Sequence, residues 1–275
     1  MDREHVDDVR AYMSEMMGTF VLVFLSAGAV CAAQLYPGTG SFTSVLGIAL
    51  AAGLSLAVGL AMTNTPPRGY LNPAVTMLLW GMGKLDGGRA MALMGVQFLG
   101  AAVAGGMLRF VLGNNQLVMD FAHLGTPHIN YEAFGGAGLT AGVVFKGVMF
   151  ELIFTFLLLL VVFVVSVRVP KTTGQVSGWL APLYIGMTLT VITLAGFHLT
   201  GAAANPARWF GTVIWESTVS PLRMQRPYAD WLAFVLGPFA ASFAAQYVIG
   251  WLIREKEHEH AHDTEKSAVA AGSSH

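Results

Sequence analysis

Six stretches of the chain run almost free of charge for about 20 residues each, the length that crosses the hydrocarbon core of a bilayer as a helix. They are Tyr12 to Ala33, Phe42 to Met62, Ala90 to Leu112, Val144 to Val167, Trp179 to Leu199 and Trp231 to Ile253. Two further apolar runs, Val75 to Trp80 and Arg208 to Trp215, reach ~15 Å at most as helix and are too short to span. Each follows the tripeptide Asn-Pro-Ala, at Asn72-Pro73-Ala74 and Asn205-Pro206-Ala207. A residue before proline avoids the right-handed helical region, asparagine caps helices, and proline suits the first helical position. Each tripeptide therefore predicts a cap and a helix start. The pattern as a whole predicts an all-α membrane protein with six transmembrane helices plus two re-entrant half-helices, which together cross the bilayer if they meet head to head.

The pattern also repeats. Glu15-x-x-x-Thr19-Phe20 opens the first stretch and Glu151-x-x-x-Thr155-Phe156 the fourth, so each glutamate precedes its Asn-Pro-Ala by a similar distance, 57 and 54 residues. Three spans per half is an odd number, so the second half enters the membrane from the opposite side. The expected fold is an inverted 3+3 repeat about an axis in the membrane plane. Repeat one covers about residues 12–112 and repeat two about 144–253, within a membrane-embedded domain of 12–253; an N-terminal arm (1–11) precedes it and a disordered, His-rich tail (254–275) follows.

Composition settles the solvent. Charged residues make up 11% and hydrophobic ones 55%, against roughly a quarter charged in a soluble domain. Glu15 at the start of the first span, the length of that span and the lack of a basic region before it argue against a cleaved signal peptide. The single cysteine, Cys31, excludes an intrachain disulfide. One side of the predicted membrane carries Arg3, Arg10, Arg68, Lys84, Arg89, Arg168, Lys171, Arg254, Lys256 and Lys266, and the other only Arg109, Lys146, Arg208, Arg223 and Arg226. The positive-inside bias then puts both termini in the cytoplasm of a cell membrane. Small residues four apart in Gly100 to Gly106 and Ala240 to Ala245 predict close helix contacts, and Trp179, Trp231, Trp251 and Tyr228 predict interfacial anchors.

The stretches Glu15-Met-Met-Gly-Thr-Phe, Leu71-Asn-Pro-Ala-Val-Thr, Gln97-Phe-Leu-Gly-Ala, Glu151 to Phe156, Asn205-Pro-Ala-Arg-Trp-Phe-Gly and Gly237-Pro-Phe resemble the major intrinsic protein family of aquaporins and aquaglyceroporins, over residues 12 to 253. The likeness is to a wide-pore, bacterial-type or NIP-like member. It implies an aquaporin-like fold, a homotetramer with one pore per subunit, and passage of water and small neutral solutes across the lipid bilayer. It also implies that Asn72 and Asn205 turn amide donors into the lumen, that Glu15 and Glu151 support the re-entrant loops, and that Arg208 belongs to a selectivity constriction. Aquaporin-type pores are the known case of half-helix N-termini repelling cations and protons. Non-helical backbone before each tripeptide, including Gly69, Tyr70 and Leu71 in one loop and Gly201, Ala203 and Ala204 in the other, is tolerated at this depth where it lines a wet cavity.

Counted back from the tripeptides, the family's other constriction positions fall on Ala52, Thr193 and Ala202. Water-selective members resemble Phe, His and a small residue there, so Ala52, Thr193, Ala202 and Arg208 predict a wide mouth that passes glycerol-like polyols, urea or metalloid hydroxides as well as water. Trp209 after the arginine leaves the subclass open. Tyr70 replaces the usual histidine and either narrows the pore or packs on a neighbouring helix. The link from Gly113 to Val143, free of Lys and Arg, is expected to fold over the outer mouth.

A strict water channel, a secondary transporter and a structural membrane junction protein are the competing readings. Coupled transport needs intramembrane carboxylates free to titrate, and a proton relay through Glu15 and Glu151 is the alternative to their support role. No catalytic constellation is visible. The tail with His258, His260 and His262 reads as solvated, so no metal, cofactor or nucleic-acid partner is expected.

Overall fold

The computed structural model describes residues 3–35, 41–63, 69–165, 180–216 and 228–272; the side chains of residues 3–6, 41–43 and 253–272 are outside that description. Among the described residues the chain forms α1 (Arg3–Leu35), α2 (Ser41–Met62), α3 (Pro73–Gly81), α4 (Gly87–Leu112), α5 (Ala141–Phe163), α6 (Leu180–Thr200), α7 (Pro206–Glu216) and α8 (Trp231–Gly272). Six of these are long and apolar enough to cross a membrane. The protein is a multi-pass membrane protein, all-helical, with the short α3 and α7 folded back among the spans.

The helix contacts obey a two-fold relation between halves. α1 packs on α2 and α4 as α5 packs on α6 and α8, α3 lies against α8 as α7 lies against α4, and α2 meets α6 across the axis. That central crossing is tight. A Cβ on Gly53 would collide with the Gly186 carbonyl and Thr190, and one on Gly186 with the Gly53 carbonyl. The same close backbone approach, which substitutes for a hydrophobic drive in lipid, joins Gly100 of α4 to the Met16 carbonyl of α1 and Gly105 to the Gly211 carbonyl of α7. Ser242 serves α3 differently: its hydroxyl donates to the Ala74 carbonyl at 2.8 Å.

The ends of the outermost helices depart from the apolar pattern. α1 begins nine residues before Tyr12, and α8 runs on through the predicted tail to Gly272. The tail is helical where disorder was expected. No Pro or Gly interrupts residues 251–271, and Ala, Glu and Lys there are good helix formers. The histidine side chains of that tail, Trp179, and the basic residues Arg68, Arg168, Lys171, Arg223 and Arg226 lie outside the described residues.

Candidate functional site

Both half-helices start as the tripeptides predict. Asn72 is extended, its side-chain oxygen accepts the Ala74 N–H at 2.9 Å, and Pro73 takes the first helical position. Asn205 accepts the Ala207 N–H at 2.9 Å in the same way. The residue before each asparagine is left-handed, Leu71 at φ 56° and Ala204 at φ 46°, a conformation costing roughly 1–3 kcal/mol for a side chain with a Cβ. Each of these two residues turns its carbonyl toward the other loop. The Asn72 amide donates to the Ala204 carbonyl at 2.9 Å, and the Asn205 amide to the Leu71 carbonyl at 2.8 Å. The two helix starts are thereby stapled nose to nose. This changes the expected part of the asparagines: one N–H of each amide is spent across the junction, and only the second remains to face a solute.

The strained loops are held from behind by the two buried glutamates. Glu15 accepts the Tyr70 N–H and, at 2.8 Å, the Leu71 N–H, while Gln97 Nε2 donates to it at 2.8 Å and to Thr76 Oγ1 at 3.0 Å. Glu151 accepts the Ala203 and Ala204 N–H groups at 3.1 and 2.8 Å and the Thr200 hydroxyl at 2.6 Å. Three donors converge on each carboxyl, an acceptor's part.

A cavity of about 370 Å³ runs from the two asparagines to the Arg208 end of the molecule, where Ala52, Thr193, Ala202 and Arg208 all line it. Gly201 and Ala203 line it too, whereas Tyr70 and Leu71 do not. Thr193 Oγ1 itself is buried with no hydrogen-bond partner among the described residues, so the part of Thr193 that lines the cavity is not its hydroxyl oxygen. Arg208 is fixed by donation from Nη2 to the Gly125 carbonyl at 2.7 Å, with Nη1 3.4 Å from Thr212 Oγ1. Tyr70 lies instead on a second cavity of about 320 Å³, shared with Glu15, Lys84 and Arg89, and packs partly on the central apolar cluster. Trp209 points away from the cavity and stacks on Phe234 at 5.7 Å.

Sequence reasoning missed the residues of the link that complete the Arg208 end. Gly125, Thr126, His123 and His128 line the same cavity. His128 lies between two buried carboxylates: Nε2 is 2.9 Å from Glu216 Oε2 and Nδ1 is 3.1 Å from Asp230 Oδ2. Burial alone would lower its pKa, but the hydrogen bonds to Asp230 and Glu216 and their charges outweigh it and raise it from 6.5 to about 9. The contribution of this contact to stability is therefore complete below pH 6.5 and is lost as pH rises through about 9. The absence of Lys and Arg from the link was the one visible signal, because the partners of His128 are 88 and 102 residues away.

Comparison with known proteins agrees with this fold. The family model described as major intrinsic protein matches residues 2–249. Aquaporin Z of Photorhabdus laumondii is 28% identical over 235 residues, covering 83% of this chain and 93% of that protein. The probable aquaporin PIP2-8 of Oryza sativa subsp. japonica is 31% identical over 253 residues, covering 89% of this chain and 82% of its own. In fold, the chain matches the X-ray structure of the aquaglyceroporin from Plasmodium falciparum with a TM-score of 0.71 at 23% identity, over 90% of this chain and 99% of that one. Members of this family are channels and not enzymes, and they pass water and small solutes through the membrane. The chain belongs to the major intrinsic protein family, the family of the aquaporins.

Proposed function

We propose that the chain is a passive pore for water and for uncharged solutes of glycerol, urea or metalloid-hydroxide size, with ions and protons excluded. The observation that carries this reading is the set of small side chains beside Arg208. Ala52, Thr193 and Ala202 share the cavity with the guanidinium, and no aromatic ring stands among these four positions. Three small side chains and one guanidinium then meet a solute without closing the passage around a single water. Exclusion of cations rests on the two half-helix N-termini stapled at Asn72 and Asn205, each with about half a positive charge, and on Arg208 itself. Glu15 and Glu151 serve the loops as fixed acceptors for Tyr70 and Leu71 in one and Ala203 and Ala204 in the other, while Gly69 and Gly201 lead into those turns with their N–H groups on the Thr63 and Phe197 carbonyls.

The same reading has the protein in a cell membrane with both termini cytoplasmic, by the distribution of Lys and Arg. It also has the protein assembled as a homotetramer of independent pores, a closed homo-oligomer that the family resemblance implies. Stopped-flow light scattering on proteoliposomes, with water, glycerol, urea and boric acid in turn, tests it. Rapid, bidirectional flux of all four, indifferent to an imposed proton gradient, is the expected result. Accumulation of any solute against its gradient would mean coupled transport, and negligible flux of all four would mean a structural protein.

A further inference from the structure

The segment that reaches Arg208 has its own anchorage. Gly125 is jammed against α1, where a Cβ would strike the Ala27 carbonyl, and its own carbonyl holds Arg208 at 2.7 Å. Three residues on, His128 bridges Glu216 at the end of α7 and Asp230 just before α8. The Ile129 N–H adds a 2.8 Å bond to the same Asp230 oxygen, and Asn130 bonds the Leu199 and His198 carbonyls at the end of α6.

We infer that His128 is a positioning residue for Arg208: by tying this segment to the ends of α7 and α8 it keeps the Gly125 carbonyl on the guanidinium and so sets which solutes pass. Carboxylates only accept hydrogen bonds, so a ring facing one on each nitrogen donates from both and carries a proton on each. Loss of one proton turns a donor into an acceptor aimed at a carboxylate and leaves Glu216 and Asp230, 3% and 1% exposed, facing a neutral ring. The segment then relaxes, the Gly125 carbonyl withdraws, and the guanidinium turns to the nearest acceptors along the cavity. The opening narrows for larger solutes before it narrows for water. The other groups about this ring are His123 in the same segment, 5.8 Å from it ring to ring, and Arg208 and His198, which line the same cavity. His123 also lies 3.6 Å from Glu216. Release of the proton falls near pH 9, so neutral and acidic conditions hold the open form.

The inference rests on the reading of Arg208 as part of the constriction, and the test separates the two. Glycerol and water permeabilities of wild-type proteoliposomes are measured from neutral pH to well above 9, and again after return to neutral. The expected result is a reversible fall in the glycerol-to-water ratio of about tenfold, the effect of ~1.4 kcal/mol on a barrier. His128→Gln, uncharged and with donors on a single nitrogen, shows the low ratio already at neutral pH. His128→Arg keeps a fixed charge with several donors and holds the high ratio throughout. A flat wild-type profile overturns the inference, as does a parallel fall of both permeabilities. Arg208→Val distinguishes the failures: a ratio moved by Arg208→Val but not by His128→Gln overturns the positioning role alone, and a ratio moved by neither overturns the constriction as well.

Discussion

The two ends of the repeat share one backbone and differ in chemistry. The asparagines stand 133 residues apart, and the same offset carries Ala52 to Ile185, Leu60 to Thr193, Gly69 to Ala202 and Val75 to Arg208. At one end Leu60, Val75 and Ile185 are buried in an apolar cluster that extends to Ala52 and Ala202, and none of the three lines the Arg208 cavity. At the other, Thr193 and Arg208 line an open cavity with Ala52 and Ala202. Both ends have a left-handed residue before the asparagine, a carbonyl given to the opposite loop and a glutamate behind it. Duplication of the frame thus solves the problem of non-helical backbone in a bilayer twice, while the proposed function assigns selectivity to one end through a few side chains on that frame.

Removing the shared device should have the largest effect, and an equal one in both halves. Glu15→Ala or Glu151→Ala leaves two loop N–H groups without an acceptor, at roughly 1–3 kcal/mol each, in loops already strained. Either variant is expected to give little monodisperse protein in detergent. Normal yield and thermal midpoint for one of the two would break the equivalence of the halves.

The third donor to each glutamate differs between halves, and this sharpens the comparison. Gln97→Leu and Thr200→Val each remove one buried hydrogen bond to the carboxyl, a loss of roughly 1–2 kcal/mol. Both should fold and conduct with lowered thermal midpoints. A midpoint unchanged in either would show that the two backbone donors suffice in that half. A smaller effect in energy, but a selective one, is expected from Arg208→Val, which gives the polar end the residue of the apolar end. Glycerol and urea permeation should rise by about tenfold, equivalent to ~1.4 kcal/mol of barrier, with water changed less and thermal stability little altered.

The frame was legible in the sequence because it is written in local signals. Spans of apolar residues, Asn-Pro-Ala starts and the twin glutamates each follow from a few neighbouring positions, and they predicted helices that the structure contains. The staple between the loops left no such mark, since the left-handed residues immediately before the asparagines are Leu71 and Ala204, where glycine would have signalled the turn. The Arg208 end was legible only in part. Its side chains on α2, α6 and α7 could be counted from the tripeptides, but Gly125 and His128 come from a link with no periodicity, and their partners are tertiary. The helical tail of α8 was hidden by its charge, which reads as a solvated terminus although its residues favour helix.

The central claim is that solute size is set at the Arg208 end, by Ala52 and Thr193. The double replacement Ala52→Phe and Thr193→His, measured by stopped-flow on proteoliposomes beside the wild type, tests it most directly. An aromatic ring and a second donor opposite Arg208 narrow the opening while still satisfying a single water oxygen. The expected result is a loss of glycerol and urea permeation of about tenfold or more, with water permeation largely kept. Equal loss of all three would contradict the claim and move the constriction elsewhere, with Tyr70 the next residue to replace.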